Sequence, residues 1–135
     1  MEPSLSDGDV LLVRRFRRRP RRGDVVVVSQ SGSTDSGWQV KRVVGVAGDR
    51  VSLECGLLYV NGLHHPESYL GGLPADLGTR KRSWLVGPDE CMVFGDNRAH
   101  STDSREWGPI SMARITGVAV IRLWPLTSRR PFRLR

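Results

Sequence analysis

The sequence predicts an all-β domain built around a coiled, mostly antiparallel sheet or barrel. Short runs of β-branched residues recur along the chain, and turn-forming residues separate them at intervals of roughly 8–12 residues. No segment shows a sustained apolar period of about 3.6 residues, so we expect few and short helices. The length of 135 residues, with 39% hydrophobic and 26% charged residues, suits one globular domain.

Each predicted strand is a short run rich in valine, isoleucine or aromatic residues. The first two runs, Asp9–Val13 and Asp24–Val28, each begin at a Gly-Asp turn. A Ser/Gly-rich loop over Ser29–Gly37 separates the second run from the third. Asn61-Gly62 is a strong hairpin signal. The remaining predicted strands are Trp38–Val46, Asp49–Glu54, Leu57–Val60, Glu90–Phe94 and Ile115–Trp124.

Two regions interrupt this pattern. The stretch from about Gly62 to Arg82 is glycine-rich, contains two prolines and has few strand signals, which indicates an excursion or lid on the main sheet. The domain is predicted to end near Pro125. Residues 126–135 form a basic tail that we expect to be frayed or bound to a surface.

Positive charge is concentrated in two places. Lysine and arginine outnumber the acids by 21 to 14, and seven of the nine residues in Arg14–Arg22 are arginine. This favours an anionic partner, either nucleic acid or a membrane surface rich in acidic lipids, although a solvated loop is the commonest reason for a charge run. The run has one aromatic residue, Phe16, and no row of aromatics for base stacking. We therefore expect a membrane surface rather than nucleic acid, with a basic nucleic-acid-binding β-domain as the alternative.

Metal and membrane-spanning signals are weak. Cys55 and Cys91 are too few for a disulfide framework or a four-cysteine zinc site, and we expect two small buried or half-buried side chains. His64-His65 has no metal-ligand spacing, so neither metal nor cofactor is expected. No stretch approaches the ~20 apolar residues of a membrane span, and Met1 opens no signal peptide.

Lys41 lies inside an apolar strand, in "QVKRVVGVAGD". One interpretation is an edge-strand lysine that blocks aggregation. The other is a general base, because burial among apolar side chains lowers a lysine pKa and yields a neutral amine near neutral pH. Strict alternation predicts that Lys41 shares one face of the strand with Gln39, Val43 and Gly45, and that the other face carries Val40, Arg42, Val44 and Val46.

A second polar group, "GDNRAHSTDSREWGP" (Gly95–Pro109), follows the apolar run Glu90–Phe94. Taken alone it is typical of a solvated hairpin loop. His100, Ser101 and Asp103 suggest a catalytic triad, but triads converge from separate segments of a chain. The stretch "GVAGD" lacks the Gly-Lys-Ser/Thr ending of a phosphate-binding loop.

Together, "KRVVGVAGD" and "GDNRAHSTDSR" resemble two sequence boxes of type I signal peptidases, the serine–lysine proteases that remove signal peptides. The opening "MEPSLSDGDVLLV" resembles a third box, and "RRGDVVVV" and "RITGVAVIRLWP" match further family elements. The resemblance runs from Met1 to about Pro125, in family order. The repressor-cleavage proteases use a similar dyad and fold, but the "GDNRAHSTDSR" box favours the signal peptidases.

The resemblance implies a role for each matching residue. Lys41 would be the general base, Ser101 would orient its amine, and Asp103 and Arg105 would form a salt bridge under the site. The turn beside Lys41 would be built by Gly95, Asp96, Asn97 and Arg98. The substrate would be bound by Met1, Pro3, Gln39 and Val40. Arg42, on the opposite face, would be structural.

The resemblance also implies a fold, a substrate and a location. The fold is an all-β, barrel-like catalytic domain with a small inserted segment, here about Val51–Trp84. The substrates are the signal peptides of secretory preproteins, cut after small residues in Ala-x-Ala sites without a cofactor. The location is the cell membrane, with the site on the extracytoplasmic side.

One departure from the family concerns the nucleophile. The family serine stands directly before the Met of the first box, which aligns with Met1, so that serine, the residues before it and the N-terminal membrane helix are outside this sequence. We favour the interpretation that Met1 lies inside a longer protein. The alternative is an inactive homologue that binds peptides or a partner. Ser4 occupies an ordinary Thr/Ser position of the family, and Ala47 replaces its usual proline.

Overall fold

The computed structural model describes residues 1–15, 19–29, 37–78, 80–124 and 132–133. Helix is confined there to one turn, α1 (Ser104–Trp107), and three 3-10 turns at Ser68–Leu70, Arg98–His100 and Met112–Arg114. The strands are β1 (Val10–Arg14), β2 (Val25–Ser29), β3 (Trp38–Val46), β4 (Arg50–Glu54), β5 (Leu57–Val60), β6 (Leu63–His64), β7 (Arg82–Leu85), β8 (Glu90–Phe94), β9 (Ile110–Ser111), β10 (Ile115–Trp124) and β11 (Phe132–Arg133).

The strands form two sheets. The main sheet has the order β1-β10-β2-β3-β8-β9, with β11 also paired to β10. The second sheet has the order β6-β5-β4-β7. Every pairing is antiparallel. The predicted all-β, antiparallel fold is confirmed.

The predicted strands are all present, and β3 has the predicted bounds. The short strands β6, β7, β9 and β11 were not predicted. The excursion expected between Gly62 and Arg82 contains β6 and the start of β7, so it is partly sheet. The second sheet runs from Arg50 to Leu85, which nearly coincides with the expected inserted segment. Residues 16–18 of the arginine run, residues 30–36 of the Ser/Gly-rich loop and most of the basic tail lie outside the described residues.

The Asn61-Gly62 signal produces the hairpin between β5 and β6. Asn61 and Gly62 have φ of 54° and 80°, and asparagine and glycine tolerate this left-handed region best. The Asn61 side chain also accepts a hydrogen bond from the Arg50 N–H and donates one to Asp49, each at 2.9 Å. One short turn therefore ties the second sheet to the end of β3.

A bulge in β3 changes which faces its residues occupy. Val43 pairs with Val93, but the next paired residue is Gly45, opposite Met92, so the register shifts between them. A side chain at Gly45 would point at Val51 in the second sheet. The predicted face is right for Val44, which packs between the sheets, and wrong for the next two residues: Gly45 faces the second sheet, and Val46 packs in the same cluster as Val43.

The core consists of three apolar clusters. The first lies between the sheets and joins Val44, Met92 and Phe94 to the second sheet's apolar residues. The second covers the other side of β2, β3 and β8, and includes Val26, Val28, Val43 and Val93. The third holds the N-terminal segment against the main sheet through Leu5, Val25 and Ala119. The polar stretch that begins at Gly95 follows β8, which is paired with β3, the strand of Lys41.

Both cysteines are free thiols. Cys91 is buried, as predicted, and burial raises its pKa to about 12. The expectation is wrong for Cys55, which is exposed because it lies in the tight turn between β4 and β5, where its φ is 49°. No helix within the described ranges is long and apolar enough to cross a membrane.

Candidate active site

Lys41 lies in the interior of the main sheet. Its strand is paired on one side with β2, where Val26 lies opposite Lys41, and on the other side with β8. Only 8% of its surface is exposed. The edge-strand interpretation is therefore wrong, because Lys41 is on a central strand.

The Lys41 amine is hydrogen-bonded to a hydroxyl group. Its Nζ donates a hydrogen bond to Ser101 Oγ at 2.7 Å, and within the described residues it forms no ion pair. Burial lowers the Lys41 pKa; the charge of Asp103 raises it, and that of Arg105 lowers it further. The net effect is a pKa below the ordinary value of 10.5, the direction that a lysine base requires.

Gly95, the first residue after β8, makes room for this contact. A β-carbon at Gly95 would lie 2.1 Å from Ser101 Oγ and 3.6 Å from Lys41 Nζ. The Gly95 N–H donates to Asp103 Oδ2 at 2.8 Å. The absence of a side chain here is therefore a matter of space at the Lys41–Ser101 pair.

Asp103 and Arg105 lie beneath the pair. Asp103 is fully buried, and Arg105 Nε donates to its Oδ1 at 2.9 Å. Burial would raise the Asp103 pKa, but hydrogen bonds from Arg105 and the Gly95 N–H, with the Arg105 charge, hold that pKa below its usual value. Arg105 Nη2 also donates to the carbonyl oxygens of Arg98 at 2.8 Å and Ser101 at 3.1 Å. Asp103 thus stays ionised and fixes the loop that carries Ser101.

The Asp96 side chain binds Arg42, on the face of β3 opposite Lys41. Arg42 Nε and Nη2 donate to its two carboxylate oxygens at 2.9 and 2.7 Å, and the two side chains are 3% and 0% exposed. Arg42 also donates to the Gly23 carbonyl at 3.0 Å and to Ser4 Oγ at 3.1 Å. The predicted turn does lie beside Lys41 through Gly95, but the Asp96 side chain turns away to Arg42.

Arg98 likewise turns away from Lys41. Its guanidinium donates to the Gly95 carbonyl at 3.0 Å, to the Ala75 carbonyl at 2.7 Å and to both oxygens of Glu67. It also lies over the Phe94 ring, 4.9 Å from the centroid. Arg98 therefore joins the turn after β8 to the second sheet's connecting segment.

A groove of about 410 Å³ is lined by Val40 and His100, the chain neighbours of Lys41 and Ser101, but not by Lys41 or Ser101 themselves. Of the residues predicted to bind substrate or to form the turn, Met1, Val40 and Asn97 line it, and the others do not: Pro3, Gln39, Gly95, Asp96 and Arg98. The Gln39 amide oxygen is buried and has no hydrogen-bond partner within the described residues. The other lining residues are Glu2, Leu5, Ser6, Asp7, Asp9, Leu11 and His100.

The triad interpretation is wrong. Asp103 is engaged by Arg105 and the Gly95 N–H, and the His100 ring contacts Asn97 Oδ1 at 3.1 Å. His64 packs edge-on against Tyr59. Within the described ranges, no three His, Cys, Asp or Glu side chains are placed to hold a metal ion, and the expectation of no metal stays a prediction.

Three residues of the surrounding network were not predicted: Glu67, Tyr69 and Asp76. Glu67 pairs with Arg98, the Tyr69 ring lies 4.0 Å from the Arg42 guanidinium, and Asp76 Oδ1 is 3.5 Å from Arg105 Nη1. All three lie in the stretch with few strand signals. A buried acid next to an arginine forms no local pattern when the two are about 30 residues apart in the chain.

Residues 1–124 match the model of a protein family described as "Signal peptidase, peptidase S26". The chain belongs to the signal peptidase family. The resemblance seen in the sequence is therefore confirmed over nearly the whole chain, and the family is one of peptidases, which are hydrolases.

Individual signal peptidases agree with this assignment. The chain is 34% identical over 134 residues to the probable signal peptidase I-2 of Synechocystis sp., covering 93% of this chain and 60% of that protein. It is 34% identical over 137 residues to signal peptidase I of Leptolyngbya laminosa, covering 93% and 65%. The chain thus spans less than two thirds of either relative.

A solved structure supports the fold. A crystal structure of a signal peptidase I from Enterococcus faecalis V583 superposes with a TM-score of 0.63 at 25% identity, covering 76% of this chain and 98% of that one. The two-sheet architecture is therefore similar to that of a solved signal peptidase I.

Proposed function

We propose that the protein is a serine endopeptidase of the signal peptidase I type, in which Lys41 is the general base and the nucleophile is a serine directly before Met1. One observation carries this proposal: a buried lysine in mid-sheet whose amine contacts a hydroxyl and, among the described residues, no carboxylate. A buried lysine with a structural role is normally paired with an acid, as Arg42 is with Asp96. The family membership supports the same assignment.

The proposed steps follow from the Lys41 chemistry. Neutral Lys41 removes the proton from the serine hydroxyl as the hydroxyl oxygen attacks the scissile carbonyl. The resulting ammonium returns the proton to the departing amine, and the carbonyl carbon is left as a serine ester. Water, deprotonated by the same lysine, then hydrolyses the ester and frees the serine. Ser101 orients the amine, and Asp103 and Arg105 hold the loop that carries Ser101.

The groove suggests which peptides are cut. Met1, Leu5, Leu11 and Val40 contribute apolar side chains to its lining, next to the acidic residues Glu2, Asp7 and Asp9. We assign to it the small residues of an Ala-x-Ala site, in a peptide bound as an extended strand. The proposed substrates are the signal peptides of secretory preproteins.

The proposed location is the extracytoplasmic face of the cell membrane. The side of the membrane rests on the family resemblance alone, whereas the net charge of +7 supports attraction to anionic lipid on either face, worth about 1 kcal/mol for each basic residue close to the surface. Sedimentation with vesicles containing phosphatidylserine, and no salt-sensitive retention on DNA, is the expected result. Retention on DNA without vesicle binding would favour the nucleic-acid alternative.

The activity is tested by comparing the chain as given with the same chain carrying a serine directly before Met1. The serine-bearing chain should cleave an Ala-x-Ala peptide after the second alanine, and Lys41→Ala should reduce that rate by about 10³-fold. Cleavage by the chain as given would show that the nucleophile is elsewhere. A serine-bearing Lys41→Ala protein with full activity would refute Lys41 as the base.

The alternative is an inactive homologue that binds peptides. The groove favours it because a cavity of about 410 Å³ is formed entirely by residues of this sequence. Sequencing the N-terminus of the protein from its native source decides between the two. A serine before Met1 supports the peptidase, and a genuine start at Met1 supports the binding protein.

A further inference from the structure

The segment Glu67–Asp76 is part of the connection between β6 and β7 and contacts residues that support the site. We refer to it as the brace segment. It contacts each of the three buried arginines that support the site: Arg42, Arg98 and Arg105. Each of these arginines also hydrogen-bonds to the loop that follows β8, and Arg42 additionally bonds to Ser4 and the Gly23 carbonyl.

The first contact is made by Glu67. Its carboxylate accepts hydrogen bonds from Arg98 Nη1 and Nη2 at 3.1 and 2.5 Å, and the two side chains are 5% and 3% exposed. The Tyr69 hydroxyl also donates to Glu67. Since Arg98 Nε donates to the Gly95 carbonyl, Glu67 is joined by one side chain to the residue that makes room for Lys41 and Ser101.

The second contact is made by Asp76, at the other end of the brace segment. Asp76 Oδ2 accepts from Arg82 Nη2 at 2.7 Å, and its Oδ1 lies 3.5 Å from Arg105 Nη1. Both Asp76 and Arg105 are 7% exposed. Arg105 in turn pairs with Asp103 and donates to the Ser101 carbonyl at 3.1 Å.

We propose that Asp76 and Glu67 are positioning residues for the Lys41–Ser101 pair, acting through Arg105 and Arg98. This inference rests on the proposed function, because it gives the second sheet a role in holding the base. Each acidic residue is linked to the site through a single side chain. Arg105 contacts both Asp76 and the Ser101 carbonyl, and Arg98 contacts both Glu67 and the Gly95 carbonyl.

The direction in which the Lys41 pKa changes when Asp76 is removed distinguishes a positioning role of Asp76 from a direct electrostatic effect of its charge. The charged groups that act on Lys41 are Asp103 and Arg105, both on the loop after β8, and its cross-strand neighbour on β2 is the apolar Val26. If Asp76 holds Arg105 against Asp103, its loss leaves Asp103 less neutralised and raises the Lys41 pKa. If Asp76 acts only as a distant negative charge, its loss lowers that pKa.

The sequence offers a clean readout, because Lys41 and Lys81 are its only lysines. Selective ¹³C,¹⁵N-lysine labelling of the full chain yields two side-chain signals, and the exposed Lys81, paired with Glu54, serves as an internal reference. The Lys41 titration midpoint would be measured by NMR in the wild type, Asp76→Asn and Glu67→Gln. Asp89→Asn is the matched control, because it removes the same charge from an exposed pair with Arg19.

The expected result is an upward shift of the Lys41 midpoint in Asp76→Asn, a smaller upward shift in Glu67→Gln and none in Asp89→Asn. Asp76→Glu, which restores the carboxylate, should return the midpoint towards the wild-type value. An unmoved or lowered midpoint in folded Asp76→Asn overturns the inference. If Asp76→Asn does not fold, an unmoved midpoint in folded Glu67→Gln overturns it instead.

This experiment needs no peptidase activity, so it can fail independently of the proposed function. If the Lys41 midpoints do not move but the serine-bearing chain cleaves the peptide, the positioning role of Asp76 and Glu67 is refuted and the proposed peptidase function stands. If the midpoints shift as expected but the serine-bearing chain does not cleave the peptide, the proposed peptidase function is refuted and the positioning role stands.

Discussion

Lys41 and Arg42 are neighbours on β3, and both are more than nine-tenths buried. On one face, Lys41 ends at the Ser101 hydroxyl, above a carboxylate that is already paired with Arg105. On the other face, Arg42 is held by both oxygens of Asp96 and lies against the Tyr69 ring. Of these two adjacent buried side chains, Arg42 is paired directly with a carboxylate, whereas the Lys41 amine is hydrogen-bonded to a hydroxyl.

The difference shows which cation is available for chemistry. A buried guanidinium with a two-point carboxylate partner stays charged and fixes structure. A buried amine that forms no ion pair among the described residues, such as that of Lys41, has its pKa lowered by desolvation, which is the direction that a general base requires. The distinction depends on the partners of each side chain, since burial is almost the same for the two residues.

The largest expected effect tests the structural cation. Arg42→Met should lower the free energy of unfolding by about 3–5 kcal/mol, because it leaves the Asp96 carboxylate buried without its partner. Lys41→Met should change it by no more than about 1 kcal/mol, because within the part of the chain that the structure describes Lys41 has no ion pair to break. Urea unfolding followed by tryptophan fluorescence measures both.

The double variant Arg42→Met, Asp96→Leu is the control for that comparison. Replacing both partners of a buried pair with apolar groups is often close to neutral, so most of the lost stability should return. A double variant no more stable than Arg42→Met would show that the other Arg42 contacts, to Ser4 and the Gly23 carbonyl, account for the loss.

The next effect tests the hydroxyl partner of Lys41. In the serine-bearing chain, Ser101→Ala should reduce kcat by about 10²-fold with little change in KM, because the amine loses the bond that orients it. Steady-state cleavage of an Ala-x-Ala peptide measures this. The main expected effect is on rate, and folding should be largely retained.

Ser104→Ala is the matched control, since Ser104 lies in the same loop but its Oγ accepts from the buried Val93 N–H at 3.1 Å. It should lower the free energy of unfolding by about 1–3 kcal/mol and leave kcat near the wild-type value. If Ser104→Ala slowed cleavage as much as Ser101→Ala, general loosening of the loop would explain both results.

The smallest effect is a pH dependence of stability. The Lys41 pKa is lower in the folded protein than its ordinary value of 10.5, so between those two values the unfolded chain binds more protons than the native one. The stability of the wild type relative to Lys41→Met should therefore rise as pH increases through that window. Unfolding free energies of the two proteins at several pH values measure it; a difference that does not vary with pH would mean that the Lys41 pKa is unperturbed.

Much of the fold could be predicted because its long strands carry local signals. Four of the nine residues of β3 are valines, and the bounds of this strand were predicted without error. The strands β6 and β9 have two residues each, too few for an alternating pattern to show, and they exist because a longer neighbour pairs with them. The bulge at Gly45 was also invisible, because it depends on the register against β8.

The site divides in the same way. Proximity of Lys41 to the Gly95–Arg105 loop was predicted from two boxes that resemble those of a known family. The orientation of the Asp96 and Arg98 side chains was not, because their partners, Arg42 and Glu67, are brought to them only by tertiary packing. The catalytic roles of the site residues remain predictions for the experiments above.

The apolar cluster between the sheets has a thermodynamic consequence. The second sheet packs Val51, Leu53 and Leu58 against Val44, Met92 and Phe94 of the main sheet, so the two sheets share this core. A peptide spanning Arg50–Leu85 would expose that surface to water and stay unfolded in isolation. In the whole chain the two sheets should melt together, and scanning calorimetry should show one transition whose van't Hoff and calorimetric enthalpies agree.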